Sequence, residues 1–201
     1  MTDRKSVPAN ATMLERPLIG GVEERAIVVV PYRQEWPETF QMHRERIAAA
    51  LGADALSIDH VGSTAVPGLD AKPIVDMLVA VADSAAEETY VPAMEQCGYV
   101  LRVREPEFEE HRMLRTPELD VHVHVFSKGS PEIERYLRFR DALLAAPFLR
   151  ARYQELKRSL AAQDPQDMNA YARAKSRFVD AIIHWSRRTD LRGPQPAPGG
   201  G

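Results

Sequence analysis

The 201-residue chain has one cysteine, Cys97. That excludes a disulfide framework and a thiolate metal cluster. No apolar run approaches the roughly 20 residues that cross a bilayer, so no membrane partner is expected. Residues 1–17, MTDRKSVPANATMLERP, lack the apolar centre of a signal peptide, and a cytoplasmic protein is the expectation. No internal repeat is present. Neither sign of charge dominates, at a net −3, and nucleic acid is not an expected partner. The small total hides an asymmetry. Residues 1–126 carry 12 Lys and Arg against 21 Asp and Glu, whereas residues 127–201 carry 14 against 8. An acidic half could hold a divalent cation and a basic half could meet phosphates; both could equally be solvated faces.

The length suits one domain with a sizeable core. Residues 1–25 show no sustained period and read as a poorly ordered arm, residues 26–186 as the domain, and residues 187–201 as a disordered tail. Ala26–Val30 reads as a strand, and Trp36-Pro37 starts a helix closed by Gly52. Ser57 to Val81 reads as two strands joined by a loop through Gly62-Ser63-Thr64 and Pro67-Gly68. A helix is expected over 85–96, then a brief strand at Tyr99–Leu101. A hairpin follows, with strands over 108–116 and 118–126 and its turn at Thr116-Pro117. Its second strand alternates, placing Asp120, His122 and His124 on one face and Leu119, Val121, Val123 and Val125 on the other. Helices follow from Ser130-Pro131-Glu132, over about 148–162 and over about 168–185, with Pro147 breaking the first from the second.

Three groups could carry chemistry. Asp76 lies in the apolar run Ile74-Val75-Asp76-Met77-Leu78-Val79, where a carboxylate is costly unless partnered. Gly62-Ser63 precedes it by 12 intervening residues (64 to 75). A glycine permits close backbone approach, and magnesium bridges one or two carboxylates to substrate phosphates. A phosphate loop backed by a metal-binding acid fits that spacing, and so does a tight turn with a hydrogen-bonded aspartate. Asp120, His122 and His124 form the second group. Alternate strand residues are about 6.6 Å apart, so neighbours can converge on one ion, while the outer pair, about 13 Å apart, cannot easily do so. Such a face can also be the wet side of a sheet. The third group is basic and includes Arg140, Lys157, Arg158, Arg173 and Lys175 on the helices, with Lys72 at the mouth of the second strand.

The motifs His60-Val-Gly-Ser-Thr-Ala-Val-Pro-Gly-Leu69 and Ala71-Lys-Pro-Ile-Val-Asp76 resemble the hallmark of the GrpB family. His122-Val-His-Val-Phe126, Gly129 to Arg135, Phe139 to Leu143, Tyr153, Leu156-Lys157, Tyr171 and Lys175 fit the same family. The resemblance covers roughly residues 26–185. It implies an α/β (α+β) class, a nucleotidyltransferase-like mixed β-sheet flanked by helices, with a helical C-terminal part. It also implies nucleotide and metal binding through a Gly-Ser loop and a strand bearing two acids at alternate positions. Gly62, Ser63 and Asp76 match, but the second acid should stand where this chain has Leu78.

The leading expectation is metal-dependent nucleotidyl or phosphoryl transfer on a nucleoside triphosphate or another phosphate-bearing small molecule. Gly62, Ser63, Thr64, Lys72, Arg140, Lys157 and Lys175 would bind phosphate or nucleotide. Asp76, His122 and His124 would be catalytic. Asp76, Asp120, His122 and His124 would hold magnesium, manganese or zinc, histidine favouring a transition metal. The alternative is a non-catalytic module binding a nucleotide, a CoA-like molecule or a protein, which Leu78 favours. A third reading compares Asp120 to Phe126 with the histidine-triad nucleotide hydrolases, although Asp120 stands where their first histidine would be.

Overall fold

The computed structural model of the protein describes Ile19, residues 28–163 and residues 168–189, with the side chains of 161–174 left out. The expectations for the arm and for the tail beyond 189 fall outside those residues. Glu35–Leu51 forms α1, carrying acids in its first turn near the positive end of the helix dipole. It ends at Gly52, whose φ of 55° takes the chain out of the helix. Strands β1 (Ser57–Val61) and β2 (Val75–Val81) follow. Of the first expected strand, 26–27 are not described, and Val30 makes only an isolated bridge to Ala71. The helix expected over 85–96 shortens to α2 (Val91–Gln96), preceded by a 3-10 turn at Glu87–Thr89. Pro92 in its first turn sets that start.

The brief strand expected at 99–101 extends to β3 (Val100–Glu105), and β4 covers only His111–Arg115. Glu109 and Glu110 both take positive φ, so the stretch before His111 is a tight turn. β5 is Val121–Ser127 and starts later than expected, because Leu119 sits at φ 64° and reverses the chain. The helices are α3 (Pro131–Ala145), α4 (Pro147–Gln163) and α5 (Met168–Thr189). Ser130 caps α3 by accepting from the Glu132 amide at 3.3 Å. Pro147 opens α4, a first-turn position that needs no amide donor.

The five strands make one mixed sheet in the order β1-β2-β5-β4-β3. Only β2 and β5 are parallel. They lie in the middle, so their side chains are buried on one face beneath α1 and α2, where Trp36, Ile47, Met77, Val79, Met94, Val123 and Val125 share a core. On the opposite face α3 covers Val61, Leu78 and Phe126. A third cluster, with Val66, Leu69, Phe139, Leu143, Tyr153 and Ile182, ties the loop after β1 to the three C-terminal helices. Among the described residues no helix is long and apolar enough to cross a membrane.

Candidate functional site

The parallel pairing of β2 with β5 sets Asp76 opposite His122 and Leu78 opposite His124. Strand alternation therefore turns Asp76, His122 and His124 to one face. The Asp76 carboxylate has its Oδ1 3.7 Å from His122 Nδ1 and 3.8 Å from His124 Nε2. Its side chain keeps 32% of its surface exposed, so the carboxylate is half-buried and reachable from one side. Burial pushes the Asp76 carboxyl up, but His124, His122 and Lys175 outweigh it and hold the group below its usual range. The His122 imidazole is lowered, first by burial, against the pull of Asp76 and with help from His124, Arg115 and Lys72.

Gly62 follows β1 at φ 71° and ψ −165°. A Cβ there would lie 2.5 Å from Asp76 Oδ2, so the backbone of the loop rests directly on the carboxylate. Ser63 then enters a 3-10 turn. The loop is pegged by Val66 and Leu69 into the helical core and clamped from α4. Lys157 Nζ donates to Ser63 Oγ at 3.1 Å and to the Asp70 carbonyl, and Arg158 pairs with the Asp70 carboxylate. Lys157 is only 3% exposed. Burial, and the charge of Lys175, bring its pKa to about 7 against the opposing pull of Asp70.

Gly62, Ser63, Asp76, His122, His124 and Lys157 therefore meet, and Lys175 and Lys72 are near enough to act on the charges of Asp76 and His122. Three expected site residues stand elsewhere. Thr64 is buried and shares a 3.1 Å hydrogen bond with His60 Nε2. His60 itself stacks on Phe40, and burial lowers its pKa to about 4, so it is a neutral strut. Arg140 donates to the His60 carbonyl and bonds Asp141, which holds it along β1. Asp120 does not join Asp76. The turn at Leu119 breaks the alternation before it, and Asp120 accepts from Thr116 Oγ1 at 2.6 Å. It lines a different hollow with Arg33, Trp36, Thr39 and Val75.

Among the described residues no group of three or more His, Cys, Asp or Glu is arranged to hold a metal ion. Leu78, where a second acid was expected, is fully buried beneath α3 between Val61 and Phe126. Of the four residues expected to hold a metal, Asp76, His122 and His124 share one face and Asp120 stands apart from them.

Two residues behind the cleft escaped the sequence reading. Glu105 Oε2 lies 2.6 Å from His111 Nδ1, and His111 Nε2 lies 3.0 Å from His124 Nδ1. Glu105 and His111 pair across the β3–β4 turn. That register was hidden because residues 108–110 read as strand, which left the acid as one of several in a charged run.

A family model described as GrpB protein matches residues 26–184. A UPF0157 protein of Halalkalibacterium halodurans is 44% identical over 186 residues, covering 92% of this chain and 95% of its own. The solved structure of the conserved protein GrpB from Enterococcus faecalis aligns with a TM-score of 0.73 at 30% identity, covering 82% of this chain and all of that one. A structure described as the GLD-2/RNP-8 complex aligns with a TM-score of 0.52 at 13% identity, covering 83% of this chain and 63% of that one, a likeness of fold alone. The nucleotidyltransferase-like mixed sheet flanked by helices is the architecture found.

Proposed function

The chain belongs to the GrpB family, and from that premise we propose that it binds a nucleoside triphosphate or related phosphate ester at the Gly62-Ser63 loop and transfers a phosphoryl or nucleotidyl group. The observation that carries this reading is the buried Lys157 ammonium held against Ser63 Oγ at 3.1 Å. A buried cation is costly without a charge partner, and α4 places this one behind a loop that could receive an anion. Lys175 adds positive charge on the same side, lowering the pKa values of both Lys157 and Asp76. Asp76, His122 and His124 stand at the end of the loop nearest Gly62, where proton transfer to or from a bound group is possible.

Titration calorimetry with ATP, and separately with inorganic phosphate, tests the reading. Heat is expected from both, with release of phosphate or pyrophosphate from ATP in the presence of an acceptor. Asp76→Asn is expected to keep phosphate binding within a few-fold and to slow turnover by about 10²-fold or more. Absence of heat with both ligands would end the proposal. Leu78, buried where a second acid was expected, favours a second reading in which the loop binds a phosphate ligand without chemistry. That reading expects the same heats and no product.

A further inference from the structure

We infer that Glu105 and His111 are positioning residues that fix the ring of His124 with its Nε2 lone pair facing Asp76, making His124 the proton acceptor for the attacking group. This deepens the transfer reaction proposed above and rests on it for the identity of the chemistry.

The chain of donors follows from what each group can do. An ionised carboxylate only accepts, so Glu105 Oε2, 2.6 Å from His111 Nδ1, places the proton on that nitrogen. A neutral imidazole carries one N–H, and His111 Nε2 is left as an acceptor. His124 Nδ1 is 3.0 Å from it, so the second bond forms only when His124 donates. His124 Nε2 is then the unprotonated nitrogen. In the neutral ring it faces Asp76 Oδ1 at 3.8 Å, too far for a direct hydrogen bond; a proton taken up there makes the ring the donor that holds the Asp76 carboxyl below its usual range.

Packing holds the rings in this order. His111 stacks on Phe126 at 4.7 Å and on His124 at 5.2 Å, with Phe108 at its edge, and Tyr136 flanks His124 at 5.4 Å. Glu105 and His111 are buried, while Asp76 is open to the cleft. The relay thus runs from a dry interior to a wet site. In the step itself, the oxygen of the attacking hydroxyl bonds to phosphorus as its proton passes to His124 Nε2. The bond from phosphorus to the leaving oxygen breaks, and its electron pair stays on that oxygen. The imidazolium formed lies between Asp76 and, through His111, Glu105. Each carboxylate stabilises it without itself taking the proton.

Nitrogen-15 NMR of the ligand-free protein reads the tautomer without requiring turnover. His124 is expected in the Nδ1–H form. In Glu105→Gln the side-chain amide can donate to His111 Nδ1, which reverses both rings, and His124 should move to Nε2–H. Turnover of ATP should fall by about 10²-fold with KM little changed. His111→Phe keeps a ring against Phe126 and breaks the relay should Glu105→Gln fail to fold. It should leave His124 with mixed tautomers and a similar loss of turnover. Because both variants break one relay, the double variant should lose no more than either alone. A His124 ring found as Nε2–H in the unaltered protein overturns the relay, as does wild-type turnover in both variants. An Nδ1–H ring in a protein that gives no heat with ATP or phosphate leaves the relay standing and overturns the base role together with the proposed reaction.

Discussion

Gly62→Ala is expected to lower both the stability of this protein and its affinity for phosphate. At φ 71° and ψ −165° the backbone lies in a region open essentially to glycine alone. A side chain there costs about 1–3 kcal/mol in backbone strain. The new Cβ would also stand 2.5 Å from Asp76 Oδ2 and 3.1 Å from Asp76 Cβ. The carboxylate can swing away, but the Cβ is fixed to the central strand, so the loop must lift as well. The urea midpoint should fall with an unchanged slope, and affinity for inorganic phosphate should drop with it. Adding Asp76→Ala to Gly62→Ala should restore the part due to the carboxylate and leave the parts due to the Cβ at position 76 and to φ. A Gly62→Ala protein as stable as the original would refute this account of the loop.

The second large effect belongs to Lys157. Its pKa of about 7 lies far below the ordinary lysine value because the ammonium is buried and Lys175 repels it. Between pH 7 and about 10.5 the unfolded chain therefore holds a proton that the folded chain has released. Stability must rise with pH across that window, wherever the unfolded state binds more protons. Below pH 7 both states are charged and the cost of burial is constant. Lys157→Met keeps most of the aliphatic stem and removes the charge that lies 4.7 Å from the centre of the Tyr153 ring. Its stability relative to the wild type should be highest at pH 6 and should shrink steadily from pH 7 to 10, as read by urea unfolding at each pH. The same variant should bind phosphate at least tenfold more weakly, a loss of about 1.4 kcal/mol. An anion bound beside Lys157 favours its charged form, so phosphate binding near pH 8 should take up a proton. Calorimetry in buffers of different ionisation enthalpy measures that uptake. Equal binding by Lys157→Met would remove the lysine from the phosphate site.

Local chemistry made much of this legible. The α3 start at Ser130-Pro131 and the alternation of β5 rest on residues that act on near neighbours in the chain, and Gly62 comes beside Asp76 through the pairing of two consecutive strands. Lys157 could be named as a basic residue on a helix, but its burial depends on how α4 folds back over the loop, 94 positions from Ser63. Asp120 misled because strict alternation was extended one residue past the strand, and Leu119 at φ 64° is not a residue type that announces a left-handed turn. Arg140 stood on the expected helix but is held by the His60 carbonyl, a backbone partner that no side-chain pattern reveals. Glu105 and His111 were invisible for a related reason. Their pairing depends on where the β3–β4 turn falls, and Glu109 and Glu110 carry its positive φ angles without a glycine between them.

The order of strands also bears on how the protein comes to exist. β1 with β2, and β3 with β4 and β5, are antiparallel neighbours that each chain segment can assemble within itself. Within the sheet it is the parallel seam between β2 and β5 that joins the segments, bringing together Asp76 and His122 from 46 positions apart (76 to 122). Non-local parallel pairing pays its loop-closure entropy before contacts reward it, and so forms slowly. Pulse-labelled hydrogen exchange during refolding should find the amides of this seam protected last, and early protection there would contradict that order. A chain leaving the ribosome accordingly carries its Gly62-Ser63 loop and Asp76 well before His122 comes to face them.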